Sequence, residues 1–168
     1  MQLVTLSTVV ARRVAGLVLG AFVLAIVFPQ GGFAQTDPFV GKWTLNLAKS
    51  TYKPGPVPRS VVFTVETAGQ GVQAAGDAVD AAGMATHLVF TILYDGKIHP
   101  VTGSPNIDGN SIIKTDAYTM EYTNTKAGAL IGTGTFTFST DGRSLTIASR
   151  GRNAAGQRVD NLAFYDKQ

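Results

Sequence analysis

His87 and His99, Ser50 beside Lys49, and Ser104 are the side chains of this chain that invite a catalytic or metal-binding reading. Spacing argues against each. The two histidines fall on different predicted strands, and no H-x-H or H-x-x-x-H pair sets two imidazoles on one face, as a metal site or a paired acid and base would need. Neither serine lies in a G-x-S-x-G turn between strand and helix, so both are expected to serve turns. With no cysteine in the chain, thiol nucleophiles, thiolate metal sites and redox pairs drop out. The reading therefore assigns no catalytic residue, no metal ligand and no cofactor. What remains is non-covalent chemistry. Tyr52, Phe90, Tyr94, Tyr118, Met120, Tyr122, Phe136 and Phe138 are the candidate ligand-binding residues, able to hold a small apolar or amphipathic molecule, with tyrosine hydroxyls to orient its polar end.

The elements that must position these side chains are strands. Trp43, Leu45 and Leu47 alternate with Lys42, Thr44 and Asn46, and Val61, Phe63 and Val65 repeat the period of two. Leu88, Phe90, Ile92 and Tyr94 share one face, as do Tyr118, Met120 and Tyr122, and Phe136 and Phe138 oppose Thr133, Thr135 and Thr137. Two closing strands run from Leu145 and Ile147 and from Val159 to Tyr165, and shorter pieces near Val72, Ile98 and Ile112 bring the count to about ten. Gly69-Gln70-Gly71, Asp95-Gly96, Asp108-Gly109, Asp141-Gly142 and the run Asn153 to Gly156 mark the turns, the Asp-Gly pairs reading as type I′ hairpins. The Ala-rich stretch "AAGDAVDAAGMA" is broken by Gly76 and Gly83 and reads as a short strand plus loop. No stripe at helical spacing competes.

A meander of this kind hides its edges by stacking two sheets or by closing into a barrel. Gly41-Lys42-Trp43 favours the barrel, because it matches the G-x-W of the first strand of the lipocalin and fatty-acid-binding-protein superfamily. The blocks "FVGKWTLNLAKS", "YDGKIHPVTGSP" and "DGRSLTIASRGRNAAGQRVDNLAFYDKQ" together resemble small exported bacterial proteins described as lipocalin-like, mostly without an assigned activity. The resemblance covers residues 35–168. It implies an all-β chain, an antiparallel meander of about 8–10 strands closed into a lipocalin-like β-barrel, with Trp43 packed across its closed end and one of Arg150, Arg152 and Arg158 stacked on that ring. Thr115-Asp116-Ala117-Tyr118 only approximates the lipocalin T-D-x-x-Y motif, and no cysteines bridge the barrel. Where fatty-acid-binding proteins insert two helices after the first strand, Pro54, Pro56 and Pro58 prevent a helix here. The segment Lys49 to Ser60 is expected to cross the barrel mouth as an extended flap that carries Tyr52.

Residues 1–34 read as a signal peptide: Arg12 and Arg13, the apolar run "VAGLVLGAFVLAIVF", and Gly32-Phe33-Ala34 at the cleavage position. That run, about 15 residues, is short for the roughly 20 of a bilayer-spanning helix, so no stable membrane span is expected after cleavage. The chain carries 14 basic and 11 acidic residues; the segment holds two of the basic and none of the acidic, which leaves an excess of one in the barrel domain at 35–168. The basic pI thus supplies no argument for a nucleic-acid partner. A disulfide-free chain of this size can still bury a core sufficient for its stability. The expected protein is a monomer in a bacterial periplasm or secreted, which binds a small apolar ligand. A filled barrel acting through its outer loops is the alternative, and an enzyme using the same cavity is a third.

Overall fold

A computed structural model describes residues 37–153 and 155–168. The signal-peptide reading, with cleavage after Ala34, lies outside the described residues. Ten strands follow one another: β1 Gly41–Thr51, β2 Ser60–Ala68, β3 Gly71–Val79, β4 Ala85–Ile92, β5 His99–Thr102, β6 Gly109–Lys114, β7 Thr119–Lys126, β8 Ala129–Phe138, β9 Ser144–Arg152 and β10 Arg158–Lys167. Each pairs antiparallel with the next, and β1 also pairs with β10, Trp43 opposite Lys167 and Leu45 opposite Tyr165. The sheet is a closed barrel. Closure settles the choice against two stacked sheets, since every strand has two hydrogen-bonded neighbours and no edge is left.

Alternation decides which side chains enter. On β8, Phe136 and Phe138 are buried while Thr133 and Thr137 face solvent; on β9, Leu145 and Ile147 point inward. The pattern breaks at three places where sequence alone predicts that it continues. Leu47 is 44% exposed rather than inward, because β1 bulges between Asn46 and Thr51. Ser50 holds the bulge: its hydroxyl donates to Asn46 O at 2.7 Å and accepts from Phe164 N at 2.9 Å. Tyr118 is not a strand residue at all but belongs to the turn before β7. Asp116 Oδ1 accepts from Tyr118 N at 2.7 Å, and the ring is 37% exposed. Tyr94 lies beyond the end of β4 with φ 56, a left-handed residue in the β4–β5 connection.

The turns also depart from expectation. A type I′ turn needs positive φ at both central residues. At Asp95-Gly96 and Asp141-Gly142 only the glycine has it. At Asp108-Gly109 neither does, and Gly109 opens β6. Gly109 is required for room: a Cβ there would meet Thr125 Oγ1 and lie 2.7 Å from Ile98 Cγ2. The consecutive positive pair is Ala127-Gly128, φ 50 and 75, joining β7 to β8.

The barrel is packed solid at one end. Phe39, just ahead of β1, is a plug: its ring lies 5.3 Å from Phe136 and 5.6 Å from Phe138, centre to centre. Trp43 is 0% exposed, and its Nε1 donates to Phe39 O at 2.8 Å, so the one polar atom of the indole is satisfied. The plug is held by Asp37, which accepts from Phe39 N at 2.9 Å and pairs with Lys114 Nζ at 2.7 Å. The cation over the Trp43 ring is Lys167, Nζ 5.0 Å from the centroid. The expectation that Arg150, Arg152 or Arg158 stacks there fails on distance. Arg158 and Lys167 sit at opposite ends of β10, roughly 30 Å apart for a strand of that length.

Candidate functional site

Above the plug, the inward positions of the same strands turn from aromatic to polar. Two residues after Tyr122 comes Asn124; two after Ile147 comes Ser149; two before Ala163 comes Asn161; two before Ile112 comes Asn110. With period two, all four enter the barrel at the same end. There they border an interior cavity of about 230 Å³. Phe63, Leu88, Phe90 and Val101, from β2, β4 and β5, form an apolar wall; Asn110, Tyr122, Asn124, Ser149 and Asn161, from β6, β7, β9 and β10, form a polar one.

The polar wall is internally bonded. Asn110, itself buried, donates through Nδ2 to Asn124 Oδ1 at 2.6 Å, and Tyr122 Oη donates to Ser149 Oγ at 2.6 Å. Tyr122, Gly134 and Ser149 stand side by side on β7, β8 and β9. The missing side chain of Gly134 lets the tyrosine ring lie across β8 to reach the serine, and a Cβ there would sit 2.6 Å from Tyr122 Oη. Among the described residues, no carboxylate, ammonium, guanidinium or imidazole lines the cavity. Burial raises the ionisation of Tyr52 and Tyr165 above the usual phenol range; it does the same for Tyr122, with the Ser149 hydrogen bond opposing. All three stay neutral at physiological pH, able to donate and to accept a hydrogen bond.

Of the eight residues that sequence singled out, Tyr52, Phe90, Tyr122 and Phe136 line the cavity. Tyr52 reaches it from the proline-rich flap, which is shorter than expected because β1 runs on to Thr51. The flap is tied to β10 by Lys53, whose N donates to Asn161 Oδ1 at 3.0 Å and whose O accepts from Asp160 N at 2.9 Å. Met120 and Phe138 are buried in the solid end and do not line the cavity. Tyr118 is outside on its turn. Tyr94 packs against the closed end under Lys114, Nζ 4.0 Å from its ring centre; burial, then the charge of Asp37, raises its ionisation. Sequence reasoning passed over the polar wall because it followed only apolar residues; continuing the same parity past Tyr122 and Ile147 reaches Asn124 and Ser149.

The remaining candidates are accounted for locally. His87 Nδ1 meets Asp77 Oδ1 at 2.7 Å, and His99 Nε2 meets Asp95 Oδ1 at 2.9 Å, each as an isolated pair. No group of three or more His, Asp or Glu side chains gathers among the described residues. Ser104 Oγ accepts from Asn106 N and Ile107 N, as a turn serine does. A larger hollow, about 710 Å³, lies on the outer face of β6 to β9, lined by Ser111, Glu121, Thr123, Thr133 and Thr135. Ile113 and Ala148 also line it, and it is a groove open to solvent on the outside of the sheet, without the enclosing walls of a binding cavity. No helix of the described residues is long and apolar enough to cross a membrane.

No family model and no curated protein matches the chain. Among solved structures it is similar to zebrafish ileal bile acid-binding protein complexed with cholic acid, with 13% identity and a TM-score of 0.46, over 78% of this chain and 99% of that one.

Proposed function

We propose that this chain is an exported, monomeric barrel that holds one small, uncharged amphipathic molecule in its interior. The observation that carries the reading is the two-sided cavity: an apolar wall of Phe63, Leu88, Phe90 and Val101 faces a hydrogen-bonding wall of Asn110, Tyr122, Asn124, Ser149 and Asn161, with no charge on either. An ionised ligand group would be buried there without a counter-charge, at a cost of several kcal/mol or more. A neutral hydroxyl, carbonyl or amide would find partners. The volume, about 230 Å³, is below the 300 Å³ at which drug-sized sites begin, which favours a compact ligand. Export is supported by Arg12-Arg13, the apolar run after them and Gly32-Phe33-Ala34. The monomer reading rests on the closed sheet, which offers no strand edge for pairing.

Binding is tested with protein freed of co-purified molecules, using a series of small neutral fluorescent probes. The expected result is saturable one-to-one binding that Ala163→Leu, which fills the cavity, weakens at least tenfold while the barrel stays folded. Tyr118→Asp, on the outer turn, leaves binding unchanged. Absence of saturable binding by every probe would overturn the reading and leave the filled barrel acting through its loops. N-terminal mass determination of the protein from an exporting bacterial host tests the location; Gln35 as the first residue supports it, and full-length chain held in the membrane contradicts it.

A further inference from the structure

Arg150, Arg152 and Arg158 stand far from the Trp43 end and gather on the outer face of β9 and β10 next to their hairpin. Arg152 and Arg158 are direct cross-strand partners, and Arg150 lies two residues along on the same face. Like charges placed opposite each other on a sheet repel and destabilise the pair. Little among the described residues offsets this repulsion. Among the described residues no carboxylate lies within ion-pair distance of Arg152 or Arg158, and Arg150 meets only Asp160, Nε to Oδ1 at 3.6 Å, with both side chains mostly exposed. Such a pair contributes little.

The three side chains border a groove of about 400 Å³. Gly132 and Gly151, paired across β8 and β9, border the same groove with backbone alone. Arg152 Nη1 donates to Gly156 O at 2.8 Å, which fixes one guanidinium at the hairpin and leaves its other donors free to turn to the groove. Leu130 stands at the groove's edge, 66% exposed, the most exposed large hydrophobic side chain among the described residues.

The geometry points to an oxyanion site here, in which Arg150, Arg152 and Arg158 together bind a phosphate group. This site is independent of the interior cavity and of what that cavity holds. A phosphate monoester carries about −1.5 to −2 charges and three acceptor oxygens, enough to engage three planar forks of donors. A carboxylate engages one such fork and leaves the others facing each other. Leu130 beside the cations matches a phosphate whose carrier has an apolar part. A free phosphate monoester and the monoester headgroup of phosphatidic acid share this chemistry.

The test titrates inorganic phosphate at fixed ionic strength into the protein, following the Nε–Hε signals of its arginines by NMR and the melting temperature. Expected are saturable shifts of Arg150, Arg152 and Arg158 with Arg59 and Arg143 still, and a melting temperature that rises with phosphate. The double variant Arg152→Gln, Arg158→Gln loses at least tenfold in phosphate affinity, and without phosphate melts no lower than the parent because the repulsion is gone. A second arm sediments the protein with vesicles of phosphatidylcholine that do or do not contain phosphatidic acid, the lipid whose headgroup is a phosphate monoester. Retention only on vesicles with phosphatidic acid, lost in the double variant, assigns the phosphate to a lipid headgroup; phosphate binding without vesicle retention assigns it to a soluble ester. Phosphate that moves the Arg59 and Arg143 signals as much as the other three, or binds the double variant as well as the parent, overturns the site.

Discussion

Tyr122 donates its hydroxyl to Ser149 at 2.6 Å across Gly134, so a tyrosine on β7 is bonded to a serine on β9 over a strand that contributes only backbone between them. The bond turns the phenol from a cavity filler into part of a fixed polar wall. Tyr122→Phe leaves Ser149 without its donor in a half-buried site and is expected to cost about 1 kcal/mol of stability. It should also weaken neutral probes with a polar end more than purely apolar ones. Equal loss for both kinds of probe, measured by fluorescence titration, would mean that the hydroxyl is not part of the binding wall.

The closed end makes a stability prediction. Trp43→Ala removes the largest fully buried side chain and leaves Phe39 O without its donor, so denaturant unfolding should report a loss of about 3 to 5 kcal/mol. That is a large part of the roughly 5 to 15 kcal/mol of a typical domain. The neighbouring Gly41 holds φ 136, a conformation that L side chains rarely adopt, and a Cβ there would also displace the flexible Lys167 side chain, whose Cε lies 2.5 Å away and which brings the ammonium over the indole. Gly41→Ala is therefore expected to cost about 1 to 3 kcal/mol, and Lys167→Ala less than 1. If Lys167→Ala proves the more harmful, the packing account is wrong.

Ala127 is a place where the natural residue is not the best one. It holds φ 50 in a two-residue turn, a region that costs an L-residue with a Cβ about 1 to 2 kcal/mol relative to its ordinary conformations. Asparagine tolerates that region and keeps the backbone N–H that Ala127 donates to Asp108 Oδ2 at 2.7 Å. Ala127→Asn should raise stability by about 0.5 to 1 kcal/mol, read as a higher denaturant midpoint at unchanged slope. No change or a decrease would show that the turn is relaxed as it stands.

Alkaline pH should act through the buried tyrosines. Tyr52, Tyr94, Tyr122 and Tyr165 all ionise above the ordinary 10.0 in the folded chain, burial being the first cause in each. Above pH 10.0 the unfolded chain loses phenol protons that the barrel retains, so the stability these groups contribute is fully present below that pH and is lost as pH rises beyond it. Phenolate absorbance from these four side chains is then expected to appear together with loss of the folded circular-dichroism signal. Their reversible ionisation within an intact barrel would contradict the burial described here.

Sequence by itself determined the strands, because a period of two is a local property: Phe136 and Phe138 against Thr133 and Thr137 need no partner strand to say which side is apolar. It also determined that Trp43 would be buried and that the proline-rich segment would bring Tyr52 towards the interior. What it left open depends on neighbours in space. Whether ten strands close or stack is decided by the pairing of β1 with β10, between opposite ends of the chain. Leu47 leaves the interior because a bulge interrupts the alternation, held in part by the bond from Phe164 N to Ser50 Oγ that only the fold supplies, whereas Tyr118 leaves it through a local Asx turn on Asp116, two residues earlier. The polar wall exists because register sets Tyr122, Gly134 and Ser149 in one row, and the arginine groove because the β9–β10 hairpin sets Arg152 opposite Arg158. Parity along one strand is written in that strand; juxtaposition between strands is set by closure, since only a closed sheet fixes every register at once.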